Sequence, residues 1–302
     1  MRPSHAAETL LARAFLAGMR TLGWRRSLAA GAALGSAVHA LGLRRSVARA
    51  NLALAFPERS ERERRALLAA HYRELGRVAA EYARLPELTR SPDEQVIRID
   101  GIEHAHALRG RGAILLTGHL GNFELLGARL GRINPVDFVV KPLSNTGVEA
   151  LLERLRRDAG VGCISTSGGV KQVFRALRAG RWVAMLADQD ARRHGVFVPF
   201  FGRPASTPEG PARIALQTGV PLLFGATHRL ADGRHQLFID PPRWPEGPAD
   251  DAAVAALTAW HTARLEARVR EAPEHWFWLH RRWKSAPPAP LSATGEAVHA
   301  PV

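Results

Sequence analysis

A histidine and a glutamate five positions apart, His119 and Glu124, close the segment Ala113 to Glu124 (AILLTGHLGNFE). Imidazole titrates near neutral pH, so a histidine can remove a proton from an attacking group without a large pKa shift. A carboxylate on its other ring nitrogen would fix the tautomer and stabilise the imidazolium that forms, a role open to Glu124. No serine or cysteine stands in the segment as nucleophile, so the group to be activated is an acceptor hydroxyl. A His-x4-Glu pair also arises by chance, and position is what favours chemistry. An apolar run ends at Gly118 and a helical pattern begins after Gly121 and Asn122. Open α/β sheets bind ligands at such strand ends. No His-Glu-x-x-His spacing accompanies the pair, so neither a metal site nor a bound cofactor is expected.

The elements that must position this pair can be read from periodicity. Apolar runs at 95–99, 113–117, 137–140, 182–187, 196–200, 222–226 and 236–239 read as strands, several continuous enough for burial on both faces. Helical patterns at 123–130, 148–159, 170–179, 208–218 and 252–271 fall between them. This alternation predicts an α/β class with a mixed, largely parallel sheet flanked by helices. The first part of the chain is helical throughout. Ser60 and Glu63 form a capping-box signature, and Pro86 and Pro92 close the region. Three segments follow: a helical N-terminal region at 1–92, an α/β domain at 93–284, and a Pro/Ala-rich tail at 285–302 expected to be disordered.

Charge narrows the class of partner. The chain has 302 residues, 42 Lys+Arg against 28 Asp+Glu, and a net charge of +14. With 46% hydrophobic residues it is globular rather than disordered. Cys163 is the sole cysteine, which excludes an intrachain disulfide and a Cys-rich zinc site. The imbalance admits nucleic acid, an anionic membrane surface or an acidic protein. The arginines are scattered and no nucleic-acid motif occurs, so nucleic acid is not expected. Ser27–Leu43 carries no formal charge over 17 residues, between Arg25-Arg26 and Arg44-Arg45. That falls short of the ~20 apolar residues of a span. An interfacial helix with these four arginines at lipid phosphates fits best. A buried Ala-rich helix and a cleavable signal sequence are the alternatives.

Four ordered blocks carry a family resemblance. They are Arg49–Pro57 (RANLALAFP), the His119–Glu124 block, Asp188-Gln189-Asp190 followed by Val196–Gly202 (VFVPFFG), and Trp276–Lys284 (WFWLHRRWK). Together they resemble the lipid A late acyltransferases, the lauroyl and myristoyl transferases of the lysophospholipid acyltransferase-like superfamily. The resemblance implies a glycerolipid acyltransferase-like α/β fold with a membrane-associated N-terminus at the cytoplasmic face of the inner membrane. It implies transfer of a fatty acyl chain from acyl carrier protein or acyl-CoA to a glycolipid hydroxyl, with His119 as base and Glu124 as its partner. A basic patch separate from the membrane-facing arginines would receive the donor. Phosphatidylinositol mannoside acyltransferases share the same logic, so the acceptor stays open. A non-catalytic membrane- or nucleic-acid-binding protein is the reading from a different class.

Further site residues follow with plainer readings beside them. Asn122, within the histidine block, and Gln189 join the substrate-binding set. Asp188 and Asp190, after a strand, either bind substrate hydroxyls, orient an arginine or cap the next turn. Arg156 or Arg157 either meets a substrate phosphate or lies on a solvated helix face. Arg213 can face the site from the helix after Pro208, which Ser206 or Thr207 would cap. The run 196–202 either lines an acyl groove or is core. Trp276–Lys284 sits at a membrane interface or forms cation–π pairs inside the fold.

Overall fold

The computed structural model describes residues 3–288; the tail expected to be disordered lies outside them from residue 289 on. Among the described residues nine strands form: β1 (Ile97–Asp100), β2 (Ala113–Thr117), β3 (Val136–Val140), β4 (Gly162–Ser165), β5 (Trp182–Leu186), β6 (Gly195–Phe200), β7 (Arg203–Pro208), β8 (Leu222–Arg229) and β9 (His235–Ile239). Seven of them make one sheet in the order β1-β9-β8-β2-β5-β3-β4. The five strands from β8 to β4 run parallel, while β9 is antiparallel to β8 and carries β1 parallel to itself. All five residues of β2 are buried, which is why that strand reads as an unbroken apolar run. The class is therefore α/β, with a mixed, largely parallel sheet flanked by helices. β6 and β7 form a separate antiparallel hairpin.

Two expectations fail at that hairpin. Ser206 and Thr207 do not cap a helix but lie in β7, where both are fully buried. Ser206 Oγ donates to the Arg192 carbonyl at 2.7 Å and Thr207 Oγ1 accepts from Arg282 Nη2 at 2.5 Å. The helix begins only at Gly210, with Glu209 as its N-cap. A hydroxyl before Pro-Glu looks like a cap in sequence, but pairing with β6 takes these residues into a strand. The run 196–202 supplies core: Phe200 and Phe201 are buried in the main hydrophobic cluster, and Val198 is buried as well.

The N-terminal helices are built into this body. Ser60 caps the helix Glu61–Tyr82 through the capping box read from sequence. That helix packs on the helix Trp24–Ala40 at backbone distance. A Cβ on Gly35 would fall 1.9 Å from the Tyr72 carbonyl oxygen, and one on Gly76 would fall 1.9 Å from that of Gly31. The small residues of Ser27–Leu43 thus serve close helix packing, with Ser27, Gly31, Ala32 and Gly35 buried. One cluster joins Leu52, Phe56 and Tyr72 to Ile114 and Val183 of the sheet, so the change in element type near residue 92 is not a break in the core. No helix among the described residues is long and apolar enough to cross a membrane.

A buried charge network makes the same connection. Glu81, fully buried, accepts from Arg229 of β8 and pairs with His235 Nε2 of β9 at 2.8 Å. Its other oxygen accepts from Asn122 Nδ2 at 2.9 Å. Arg229 Nε donates to Glu74 at 2.8 Å. Burial alone would raise the Glu81 carboxyl, but His235 and Arg229 hold it down at about 2.

Two predictions follow from this packing. Removing one partner of a buried pair leaves uncompensated charge, so Glu81→Ala lowers the unfolding free energy by about 3–5 kcal/mol. Removing Glu61 from its exposed, solvent-screened pair with Arg49 has a much smaller effect. Chemical denaturation compares the two; equal effects contradict the assignment. Gly76→Val forces the helices apart, and overpacking of this kind costs about 1–3 kcal/mol or more, read as a lowered melting temperature.

Candidate active site

His119 stands just beyond the C-terminal end of β2, where the parallel strands present their loops. Asn122 caps the following helix, Phe123–Leu130, its Oδ1 accepting from the Leu125 N–H at 3.0 Å. The neighbouring strand β5 ends in register with β2, Thr117 opposite Leu186. Two residues further on each strand, His119 and Asp188 are therefore side by side. His119 Nδ1 lies 2.7 Å from Asp188 Oδ1, and the His119 backbone N–H donates to Oδ2 at 2.7 Å. The Trp276 indole N–H donates to the same oxygen at 2.9 Å.

These contacts set the charges and the tautomer. Burial alone would raise the Asp188 carboxyl, but His119 and the Trp276 indole hold it at about 2. Ionised, it can only accept, so Nδ1 carries the proton and the Nε2 lone pair is left for chemistry. Burial works to lower the His119 pKa; the Asp188 carboxylate, with Glu124 adding to it, outweighs that and raises it above its ordinary value. The Gln189 amide nitrogen stands 3.5 Å from Nε2.

Glu124 is therefore not the hydrogen-bonding partner of His119. The Nδ1 position is taken by Asp188, and the first turn of the helix directs Glu124 toward the helix Thr146–Asp158. There Arg156 grips it, Nε at 3.1 and 3.0 Å from the two carboxylate oxygens and Nη2 at 2.5 Å from Oε1. The pair is largely buried, and Glu124 raises the Arg156 pKa against the pull of burial. His119, Glu124, Arg156 and Gln189 all line one cavity of about 770 Å³. Its walls are otherwise mainly apolar, from Phe123, Phe138, Val139, Leu152, Met185 and Leu186, with Lys141 at the rim.

Four other sequence candidates are placed elsewhere. Asn122 is buried and spends its side chain on the helix cap and on Glu81. Arg157 is exposed and is not part of the cavity wall. Asp190 binds the backbone and hydroxyl of Ser285 and donates its own N–H to His280 Nε2. Arg213 pairs at the surface with Glu209 and Asp251. Asn122 and Asp190 are held by internal partners far away in sequence, which spacing does not reveal. Asp188 was legible as a strand-end carboxylate, but its contact with His119 depends on the register between β2 and β5.

The C-terminal block closes the site from behind. The Phe277 N–H donates to the His119 carbonyl, and the Gly121 N–H to that of His275, each at 2.9 Å. Asn51 Nδ2 donates to the carbonyls of Trp278 and His280. Arg282 is buried over the Phe200 ring, so the aromatic-basic stretch forms cation–π contact inside the fold. Arg44 turns to the Leu279 carbonyl at 2.7 Å, a protein partner where a lipid phosphate was expected.

Comparison with known proteins places this geometry. Residues 3–285 match the family described as bacterial lipid A biosynthesis acyltransferase. The lipid A biosynthesis lauroyltransferase of Escherichia coli (strain K12) is 31% identical over 254 residues, covering 81% of this chain and 80% of that protein. The phosphatidylinositol mannoside acyltransferase of Mycobacterium tuberculosis (strain CDC 1551 / Oshkosh) is 32% identical over 232 residues, covering 72% and 70%. A crystal structure of the 1-acyl-sn-glycerophosphate acyltransferase from Thermotoga maritima aligns with 83% of this chain and 99% of that chain, at 16% identity and a TM-score of 0.41. The family match takes in the N-terminal helices together with the sheet, and the chain, an acyltransferase, belongs to the bacterial lipid A biosynthesis acyltransferase family.

Proposed function

We propose that the chain moves a fatty acyl group from a thioester donor to a hydroxyl of a lipid A-type glycolipid, with His119 as general base and Asp188 as its partner. The observation that carries this reading is the Asp188–His119 pair, which leaves Nε2 as the unprotonated nitrogen of a histidine lining a largely apolar cavity. In the reaction Nε2 takes the proton of the acceptor hydroxyl as its oxygen attacks the thioester carbonyl. Asp188 then compensates the imidazolium. The carbonyl oxygen becomes an oxyanion, and the Gln189 amide, 3.5 Å from Nε2, serves as a donor to it. Collapse of the intermediate expels the thiolate, which recovers the proton from His119. Glu124 and Arg156, locked to each other, form a rigid polar wall for the acceptor beside the apolar surface for the chain. The acceptor is the finer question, and the mannoside acyltransferase relative keeps a second glycolipid in view.

The donor and the membrane have their own supports. Lys171, Arg175 and Arg178 stand exposed on the helix Val170–Arg178, a basic row suited to an acidic carrier protein or to the phosphates of CoA. Leu10, Leu11, Leu41 and Leu43 are 60–85% exposed on and beside the N-terminal helices. The first helix, Pro3–Thr21, is tied through Thr9 Oγ1 to Asn145 Oδ1 at 3.1 Å, next in sequence to Ser144 of the cavity lining. That surface fits attachment at the cytoplasmic face of the inner membrane, with Arg25, Arg26 and Arg45 at lipid phosphates.

His119→Ala is expected to cut acyl transfer by about 10²–10⁴-fold with the fold retained by circular dichroism; unchanged transfer rejects the mechanism. The pH profile gives a second test. Neutral His119 is the base, so the rate falls as pH drops through its raised pKa. Asp188→Asn removes the raising charge, and the acid limb moves to lower pH as the plateau falls; a limb that stays in place contradicts the pairing. Replacing Leu10, Leu11 and Leu41 by Glu weakens sedimentation with anionic liposomes, and undiminished binding rules out this surface. Mass spectrometry of a deletion strain identifies the acceptor: a missing acyl chain on lipid A supports the proposal, an unchanged lipid A rejects it.

A further inference from the structure

A second cavity, of about 730 Å³, shares no lining residue with the one at His119. Arg25 of the helix Trp24–Ala40 and Arg73 of the helix Glu61–Tyr82 stand at its rim, exposed and with no ion pair among the described residues. Arg229 and His275 form part of its wall; His275 is buried and the Arg229 side chain is 7% exposed. Each carries a hydrogen-bond donor with nothing to accept it. Arg229 spends Nε and Nη1 on Glu74 and Glu81, and its Nη2 has no partner. His275 Nε2 accepts the Arg229 backbone N–H at 3.1 Å, so the proton sits on Nδ1. That N–H also lacks an acceptor, the Glu274 carboxylate being 3.7 Å away.

The carboxylates around the cavity do not cancel this demand. Glu74 is consumed by Arg229 and Arg77, and Asp232 by Arg234. Glu274, half-exposed, is the one set against Arg25 and Arg73. Orphaned buried donors are uncommon in folded proteins. Two of them beside two free guanidinium groups describe a place for an anion with several acceptor oxygens, the geometry that arginine forks match in phosphate.

We propose that this cavity binds a phosphate ester, Arg25 and Arg73 holding it at the rim and Arg229 and His275 from the wall. Its wall is continuous with the back of the active site. The His275 carbonyl holds the Gly121 N–H, and Arg229 shares Glu81 with Asn122, so both bracket the loop that carries His119. Occupancy therefore stiffens that loop from outside the acyl cavity. A soluble phosphate ester and a lipid headgroup present the same chemistry.

Hydrogen exchange by mass spectrometry tests the site on the full chain. The probes are glycerol 3-phosphate, vesicles of phosphatidylcholine alone, and vesicles of phosphatidylcholine with phosphatidylglycerol. Exchange is followed at 229–233 and at 119–123 in the native protein, in Arg25→Ala/Arg73→Ala, and in Arg62→Ala/Arg109→Ala, which removes equal charge from exposed sites elsewhere. Slower exchange at both segments is expected in the native protein and in the second variant, and its loss in the first. Protection by glycerol 3-phosphate identifies a soluble ester, and protection by phosphatidylglycerol vesicles alone identifies a headgroup. No protection by any probe, or protection that survives Arg25→Ala/Arg73→Ala, overturns the proposal. Should the double variant unfold, Arg73→Gln alone is read in the same way. The readout is binding, so it stands apart from whether His119 transfers acyl groups.

Discussion

The carboxylate of Asp188 organises this molecule. It is buried and ionised, and it meets three donors: the backbone N–H of His119, the imidazole Nδ1–H, and the indole N–H of Trp276. A buried charge survives only when such partners compensate its desolvation. Much of the architecture serves that compensation. The parallel pairing of β2 and β5 brings the two strand ends together. The C-terminal block delivers the indole and is itself pinned by Asn51 from the N-terminal helices. Three of the four sequence blocks thus meet at or next to one carboxylate, and the fourth is fastened to them through the Trp278 and His280 carbonyls.

The neighbouring Glu124–Arg156 pair plays a different part in the same cavity. A carboxylate held through both of its oxygens by one edge of a guanidinium is fixed in direction and has little freedom to turn toward the imidazole. It contributes to the electrostatic environment of His119 without a hydrogen bond to it. Behind the loop, the Glu81–Arg229–His235 network holds Asn122 and with it the start of the helix Phe123–Leu130. The arginine excess therefore divides. Arg129, Arg156, Arg229 and Arg282 are structural cations inside or at the edge of the core, while Arg25, Arg26 and Arg45 stay at the surface.

What the sequence revealed follows the range of the forces involved. The strand 113–117 and the helix 123–130 rest on local patterning, and both appear at the expected positions. The capping box at Ser60 is equally local. Pairings across the sheet are not. Glu124 stood five residues from His119 and looked like its partner, whereas Asp188, 69 residues away, takes that place through strand register. Asn122, Asp190 and Arg213 have the polar character of ligand-binding residues, and each is consumed by a partner distant in sequence or on a neighbouring turn. Strands β4 and β7 went unread: β4 is four residues long and opens on a glycine, and β7 carries two prolines.

The central claim, that Asp188 rather than Glu124 sets the tautomer and basicity of His119, has a direct measurement. Nitrogen-15 NMR of the imidazole, titrated in the native protein, in Asp188→Asn and in Glu124→Gln, reports which ring nitrogen holds the proton and at what pH the ring charges. The account predicts a neutral ring protonated at Nδ1 with a raised pKa, a marked fall of that pKa in Asp188→Asn, and a smaller one in Glu124→Gln. A ring protonated at Nε2, or a pKa that falls more in Glu124→Gln than in Asp188→Asn, would contradict it.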